Sequence, residues 1–346
     1  MVPQNAVAPI HLRRTEENAD EIEALARRHR GRVGIDGVLA HLDRQATRAR
    51  VPGRKVTWGF RWDDADDRDV RWWPQGISTS ADANDDEDVA GRRIVVTSWY
   101  AKDVGDDQHG SRVTFVDLDT LRYRHVLLVT PELHHGRPRL RPLVVHAGGI
   151  VWCGHQLHVA GTRRGLFTCL VDDIVEVEPS PETFGHRFVL PVRSAYVSAG
   201  AEGAEPMRYS FLSLDRGTTP FELVAGEYGV KGQSTRLVRY PLDPQTLHLS
   251  TGKDRLSRPA ALDEQGIGHM QGAAVVRGRY YVTHSRGRWR LGHLHVGTPG
   301  RWRRFARSLP VGPEDISYWP STDQLWSLTE YPGRRFVFAM DRSQFG

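Results

Sequence analysis

Cysteine is nearly absent from this chain of 346 residues, which contains only Cys153 and Cys169. So few cysteines exclude a disulfide-stabilised fold, and the two lack the close spacing of a zinc site. They fall on strands that we expect to be first and third in one repeat, which are not neighbours. We therefore predict two free thiols.

Long apolar runs are also missing. No stretch of about 18 apolar residues occurs, which predicts that the chain has no transmembrane helix. Residues 1–14 lack the apolar core of a secretory signal. We expect a cytoplasmic protein, or a secreted one if the sequence begins after a removed signal.

Lysine is scarce, because only four of the 47 basic residues are lysines. The formal net charge is +5 and the pI is about 9.3. We attribute the excess of arginine to a GC-rich genome, since no nucleic-acid-binding module is present. The densest basic segments, 286–290 and 301–304, also carry tryptophan, and stacking on single strands is the alternative. We predict no nucleic-acid or membrane partner, and a monomer or weak homodimer.

Motifs for nucleophilic catalysis are absent too. There is no Gly-x-Ser-x-Gly elbow. Gly148-Gly149 precedes a strand, whereas a phosphate loop precedes a helix. Because these motifs are absent, the polar residues of the chain favour acid–base catalysis.

A short pattern returns along the chain: a tight turn, a strand of small or branched residues, and usually an aromatic residue. Such a return is typical of the blades of a β-propeller, and we predict five blades, with six as the alternative. The copies are Pro74-Gln75-Gly76-Ile77, His146-Ala147-Gly148-Gly149-Ile150-Val151-Trp152, Arg193-Ser194-Ala195-Tyr196-Val197, His269-Met270-Gln271-Gly272-Ala273-Ala274-Val275 and Pro313-Glu314-Asp315-Ile316-Ser317-Tyr318-Trp319.

The first 54 residues differ from the rest. Apolar spacing predicts helices over about 15–29 and 36–47, followed by a linker at 48–54. We therefore divide the chain into a helical extension, 1–54, and a propeller, 55–346. The last blade has only three clear strands, and an open edge promotes aggregation, so we expect strand 56–62 to close it.

The chain resembles a set of actinobacterial, Streptomyces-type β-propeller proteins that are known mostly as secreted or hypothetical proteins. The resemblance covers about residues 58–342. It implies the propeller fold and names no activity. It is carried by Trp73-Pro74-Gln75-Gly76-Ile77, Ser98-Trp99-Tyr100, the His146 and Met270-Gln271-Gly272 segments, Gly226-Glu227-Tyr228, and Pro313-Glu314-Asp315 through Thr329-Glu330.

The start of each blade's first strand lies at the mouth of the central channel, so residues there converge from distant parts of the chain. Histidine titrates near neutral pH and carboxylates are its usual partners. We predict His146, His269, Glu314 and Asp315 as catalytic residues, with Gln75, Gln271, Trp73 and Tyr100 binding the substrate. A divalent cation, Mg²⁺ or Ca²⁺, would be held by His146, His269 and Glu314; the alternative is a polar channel lining that binds only water.

Two acidic runs are expected to be solvated. Residues 63–69 are expected to form an acidic hairpin, and residues 82–88 a flexible loop that lacks the glycine and the terminal glutamate of a calcium loop.

The function that we predict is an enzyme of the lyase, cyclase or hydrolase type. It would act on a small organic molecule, such as a secondary metabolite, at the channel mouth. Propellers of similar architecture include lactonases and an antibiotic-linearising lyase that uses His, Glu and magnesium. The alternative is a non-catalytic propeller that binds a ligand or a protein.

Overall fold

The computed structural model describes residues 9–102 and 108–346. Residues 1–8 of the extension therefore lie outside the described residues. The extension contains three short strands that the sequence did not predict, and the second helix ends earlier than expected. Its elements are β1 (Ile10–Arg14), α1 (Ala19–Arg28), α2 (Gly34–Leu39), β2 (Arg44–Gln45) and β3 (Thr47–Arg48).

Helix α1 is amphipathic. Ile22, Leu25 and Ala26 face the protein, while acidic residues occupy its first turn and arginines its last, as the helix dipole favours. The predicted second helix over 36–47 is wrong beyond Ala40, since Arg44 and Gln45 pair with Arg122 and Tyr123. Backbone pairing with a neighbouring strand replaces helical hydrogen bonds there.

The first antiparallel array follows. Strands β5 to β8 pair in sequence and β9 adds a hairpin to β8. The elements of this part are β4 (Trp58–Arg61), α3 (Asp64–Arg68), β5 (Trp72–Thr79), α4 (Ser80–Ala83), β6 (Ile94–Ala101), β7 (Ser111–Asp117), β8 (Arg122–His134) and β9 (Arg137–Pro142).

The second array joins the first through one long strand. Its inner part is antiparallel, and β14 pairs with β12 through residues 192–196 and in parallel with β8 through residues 189–191. The elements are β10 (Ile150–Cys153), β11 (Gln156–Ala160), β12 (Leu166–Leu170), a 3₁₀ turn (Val171–Asp173), β13 (Val175–Glu176) and β14 (Phe188–Gly200). Cys153 and Cys169 are buried and free, as predicted.

Three further antiparallel sheets complete the chain. The repeat copy at 193–197 does not begin a sheet, because those residues belong to β14. The remaining elements are β15 (Phe211–Asp215), β16 (Glu222–Gly226), β17 (Leu237–Pro241), β18 (Leu256–Ser257), β19 (Ala261–Asp263), β20 (Met270–Val276), β21 (Arg279–His284), β22 (His293–Thr298), β23 (Arg301–Phe305), β24 (Pro313–Trp319), β25 (Gln324–Thr329), β26 (Phe336–Asp341) and a 3₁₀ turn (Arg342–Phe345).

The first strands of the arrays form a ring. β5 contacts β10, β10 contacts β15, β15 contacts β20, β20 contacts β24, and β24 returns to β5. At the outer edge β26 pairs with β4, which comes from the other end of the chain, and β3 pairs with β4. The fold is therefore an all-β propeller with few helices.

Apolar side chains fill the spaces between neighbouring arrays. One core cluster contains Trp62, Trp99 and Trp319, which join β4 and α3 to the first and last arrays. Another contains Phe115, Trp152 and Phe188 between the first and second arrays. These rings fix the relative position of the strands whose ends form the channel mouth.

Within the described residues, no helix is long and apolar enough to cross a membrane.

Candidate functional site

Three first strands carry a β-bulge at the same place, where they reach the channel mouth. The register shifts between Pro74 and Ile77, between Met270 and Gly272, and between Pro313 and Ile316. A bulge inserts an extra residue and re-aims the side chains beside it. The bulged segments contain Gln75, Gln271 and Glu314.

Each of the two glutamines holds one glutamate. Gln271 Nε2 donates to Glu314 Oε1 at 2.9 Å. Gln75 Nε2 donates to Glu330 Oε2 at 3.4 Å and to its neighbour's carbonyl, Pro74 O, at 2.9 Å. Glu314 is only 3% exposed, whereas Glu330 is partly exposed. Two carboxyl groups thus lie at the mouth at different depths.

Their surroundings separate the two carboxyl groups electrostatically. Burial raises the pKa of Glu314 well above its usual range, and Glu330 and Asp315 raise it further. Burial also raises the pKa of Glu330, but Tyr331, Lys102, Gln75 and Arg335 oppose that increase. Glu314 therefore keeps its proton when Glu330 has already lost its own, as in sites where two carboxyls divide acid and base roles.

Tyrosines surround this pair. The pKa values of Tyr100, Tyr228 and Tyr331 are all raised, first by burial and then by the two glutamates. Their hydroxyl groups remain protonated and can donate hydrogen bonds to a ligand.

The predicted catalytic histidines lie on the rim. His146 is exposed and its ring centroid is 4.3 Å from that of Tyr100. Desolvation by the surrounding protein lowers the pKa of His146, and the positive charge of Lys102 lowers it further. His269 Nδ1 is 2.9 Å from the Tyr228 hydroxyl, and its ring stacks on His284.

The predicted metal ligands do not converge. In the described part of the chain no group of three or more His, Cys, Asp or Glu side chains is arranged to hold a metal ion. His146 stacks on Tyr100, His269 binds Tyr228 and Glu314 lies beneath Gln271. The set His146, His269 and Glu314 therefore does not fit a divalent cation, because its donors face different partners.

Asp315 lies deeper in the channel. Its Oδ2 accepts the backbone N–H of Ile77 at 3.3 Å and of Ile150 at 3.4 Å. It is fully buried, and that burial raises its pKa well above the usual range. These bonds tie β24 to β5 and β10, so Asp315 is placed to brace the inner strands.

The two predicted aromatic binding residues differ in access. Trp73 is 7% exposed, and its Nε1 donates to Val70 O at 2.9 Å. Lys102 Nζ lies 3.0 Å from the Trp73 ring centroid, a cation–π contact. Tyr100 is partly exposed and is the better placed of the two to touch a ligand.

Sequence reasoning missed four residues of this site: Lys102, Tyr228, Glu330 and Tyr331. Each follows the second strand of an array (β6, β16 or β25), where the chain returns to the mouth. The signal was present, because Glu330 and Tyr228 lie within segments that carry the resemblance. Apart from Tyr100, the prediction considered only residues at the starts of first strands.

The acidic run at 63–69 is not a solvated hairpin. Asp63 caps helix α3, and Asp66 and Asp67 are buried. Asp66 accepts hydrogen bonds from Arg112 Nη2 at 2.9 Å and Tyr123 Oη at 2.6 Å, and its Oδ2 lies 2.9 Å from His125 Nε2. These partners, His125 and Arg112 foremost, overcome the effect of burial and hold the pKa of Asp66 well below its usual range.

Beside this network lies a polar cavity of about 270 Å³, apart from the channel mouth. The Arg112 guanidinium in its wall is stacked between Trp72 and Trp99. The arginines of the wall are ion-paired, Arg44 and Arg112 with Asp66, Arg124 with Asp43 and Arg187 with Glu176. The charges of this wall therefore largely neutralise one another.

No protein-family model matches the chain, and no curated protein is similar to it in sequence. Several solved structures follow a similar chain path at low identity. The Cps50 (Swd1) β-propeller domain from Myceliophteria thermophila has a TM-score of 0.40 and 11% identity, covering 83% of this chain and 99% of its own. A GH43_1 enzyme from Xanthomonas citri has a TM-score of 0.36 and 12% identity, and the match covers 92% of each chain. RS223-β-xylosidase has a TM-score of 0.35 and 10% identity, and the match covers 78% of this chain and 92% of its own.

Proposed function

We propose that this propeller, which we count as five blades closed by β4, is a hydrolase that works by acid–base catalysis at the channel mouth. The observation that carries the proposal is the pair Glu314 and Glu330, two carboxyls with pKa values that their surroundings raise to different extents. Glu314 is the acid and Glu330 the base. A carboxyl pair divided in this way is the usual machinery for cleaving a glycosidic bond.

In this mechanism Glu330 accepts a proton from a water molecule as that water attacks the substrate. Glu314 gives its proton to the leaving oxygen, so the two carboxyls exchange roles and one proton crosses the site. Because Gln271 covers Glu314, the substrate must displace its amide. Tyr100, Tyr228 and Tyr331 orient the substrate, and His146 and His269 form the rim.

Isosteric variants test the assignment. Glu314→Gln and Glu330→Gln should each lower kcat about 10²- to 10⁴-fold without lowering the melting temperature, because each amide can keep its glutamine partner. Turnover is measured on a panel of aryl glycosides, aryl esters and lactones. Glu178→Gln, a change at an exposed glutamate remote from the mouth, is the control. Full activity in both variants would exclude this site.

The pH dependence provides a second test. The rate should fall on the acid side as Glu330 gains a proton and on the alkaline side as Glu314 loses one. Since both pKa values are raised, the optimum lies above the usual carboxyl range of about 4. Glu314→Gln should remove the alkaline limb from its residual activity, and an unchanged limb would assign the acid to another group.

A non-catalytic binding propeller is the second candidate. The exposed Trp289, with 78% of its surface open to solvent, is the observation that favours it. That function predicts ligand binding that is insensitive to Glu314→Gln and Glu330→Gln, with no turnover by the unmodified protein.

A further inference from the structure

Blade four carries an unusual distribution of charge. Residues 265–313 contain nine arginines and no aspartate or glutamate, although 42 acidic residues spread evenly over 346 would place about six there. Trp289 lies within this segment and is the one aromatic among the large apolar residues that the described structure exposes. The segment therefore combines positive charge with an accessible ring.

In the described part of the chain, the arginines around Trp289 have no acidic side chain as an ion-pair partner. Many arginines in other parts of the molecule form ion pairs, such as Arg236 with Glu227 and Arg342 with Asp323. Among the described residues none of the following forms an ion pair: Arg286, Arg288, Arg290, Arg307 and Arg334. What distinguishes these five arginines is that they lie close together, around Trp289 and Tyr331.

These five arginines and Trp289, which we call the arginine rim, adjoin the channel mouth. The Arg288 guanidinium carbon lies 5.7 Å from the Tyr331 ring centroid, and Tyr331 bonds to Glu330. Arg334 Cζ lies 5.3 Å from the Trp289 ring centroid. The rim therefore continues directly from the residues around the glutamate pair.

A depression of about 360 Å³ is lined by Arg286, Trp289, Arg290, Leu291 and Arg307. Its volume falls in the range of ligand clefts. The exposed guanidinium groups present donors in a planar fork that matches carboxylate and sulfate oxygens. The Trp289 face can pack against a sugar ring.

We propose that the arginine rim is an extension subsite that binds the anionic groups of the substrate, and that the substrate is an acidic saccharide chain bearing carboxylate or sulfate. This inference rests on the proposed hydrolase function. A single-stranded nucleic acid fits less well, since such surfaces stack successive bases on several aromatic rings and the described surface exposes one.

Binding is measured by isothermal titration on the full chain, with polygalacturonate and dextran sulfate as probes and uncharged dextran and a single-stranded oligonucleotide as comparisons. The triple variant R286E/R288E/R290E should weaken binding of the anionic saccharides at least about tenfold, equivalent to about 1.4 kcal/mol. It should also flatten the salt dependence. Trp289→Ala should weaken binding while leaving the salt dependence intact.

The matched control is R13E/R163E/R277E, which makes the same charge change at exposed arginines outside the rim. It should bind as the unmodified protein does. Equal loss in both triple variants would reduce the effect to net charge and overturn the subsite. Tighter binding of the oligonucleotide than of either saccharide would overturn the substrate class.

Failure of this inference is separable from failure of the proposed function. Glu314→Gln should bind the anionic saccharides normally, because it does not alter the rim. Turnover of small neutral substrates should survive in R286E/R288E/R290E if the glutamate pair is catalytic. Loss of that turnover together with normal saccharide binding would place the arginines in another role.

Discussion

Asp82 is a buried carboxyl group whose direct partners are two hydroxyl groups and the Thr79 backbone N–H. Ser78 and Ser317 donate to its Oδ2 at 2.6 and 2.8 Å, joining β5 to β24 below the mouth. Burial raises its pKa from 3.8 to about 6. The folded state therefore holds this proton more tightly than the unfolded state does, and its stability falls as the pH rises from about 4 through about 6.

Asp82→Asn should remove that loss. The amide oxygen can accept both hydroxyl groups and never ionises, so the variant should gain about 3 kcal/mol relative to the unmodified protein between pH 4 and pH 8. Urea unfolding at the two pH values measures the difference. Asp86→Asn, at an exposed position just after helix α4, which contains Asp82, should give no pH-dependent change. If the stability of Asp82→Asn changed with pH as much as that of the unmodified protein does, Asp82 would not be the group that titrates.

The pKa of Asp66 is shifted in the opposite direction to that of Asp82, because cationic and hydrogen-bonding partners keep Asp66 ionised. Asp66→Asn would leave the buried Arg112 guanidinium without its counter-charge. We expect a loss of about 3 to 5 kcal/mol at neutral pH. Chemical denaturation measures it, and Asp64→Asn at an exposed site on the same helix should cost less than about 1 kcal/mol. Equal losses would show that the helix, not the buried pair, is responsible.

At the scale of elements, the bulges determine the site. Gly272 lies beside the bulge in β20, and a Cβ there would be 2.6 Å from Asp315 Cα and 2.7 Å from Ile316 N. Backbone atoms of β24 cannot yield as a flexible side chain would. Glycine at this position therefore permits the close approach that lets Gln271 reach Glu314.

Gly272→Ala should separate these two strands. We expect a cost of about 1 to 3 kcal/mol from overpacking and a reduced kcat, because Gln271 and Glu314 move apart. Thermal unfolding and turnover are measured together. Gly268→Ala, just before the same strand, meets its nearest atom at 3.3 Å and should change both far less. Identical effects would contradict the role of the bulge.

Sequence could predict the propeller and part of its site, for reasons visible in these elements. Glycines and branched residues mark β5, β10, β20 and β24, where backbones approach closely at the mouth. β15 lacks that pattern, so the sequence predicts residues 193–197 as the first strand of the third array. Those residues in fact extend the outer strand β14. Bulges leave no periodic pattern, and the partners of Asp66 come from strands far apart in sequence. Only tertiary contacts determine where the bulges form and which residues surround Asp66.

At the scale of the whole molecule, the ring is closed by strands from opposite ends of the chain. β4 pairs with β26 with Arg61 opposite Phe336, and both side chains are partly exposed. Opposed residues of antiparallel strands lie about 4.5 to 5.5 Å apart at Cα, within the span of a disulfide. Cys153 and Cys169 are buried and should not compete.

The variant R61C/F336C should therefore form an intramolecular disulfide on oxidation. Since the bond closes a loop of nearly the whole propeller, it should stabilise the oxidised form by a few kcal/mol, up to about 5, over the reduced form of the same variant. Gel mobility and paired thermal melts measure this, and the comparison cancels the loss of Phe336. R61C/Q324C places its second cysteine on β25, which pairs with β26 and not with β4, and should stay reduced or link between molecules. If R61C/F336C behaves in the same way, the two ends of the chain do not meet and the ring is open.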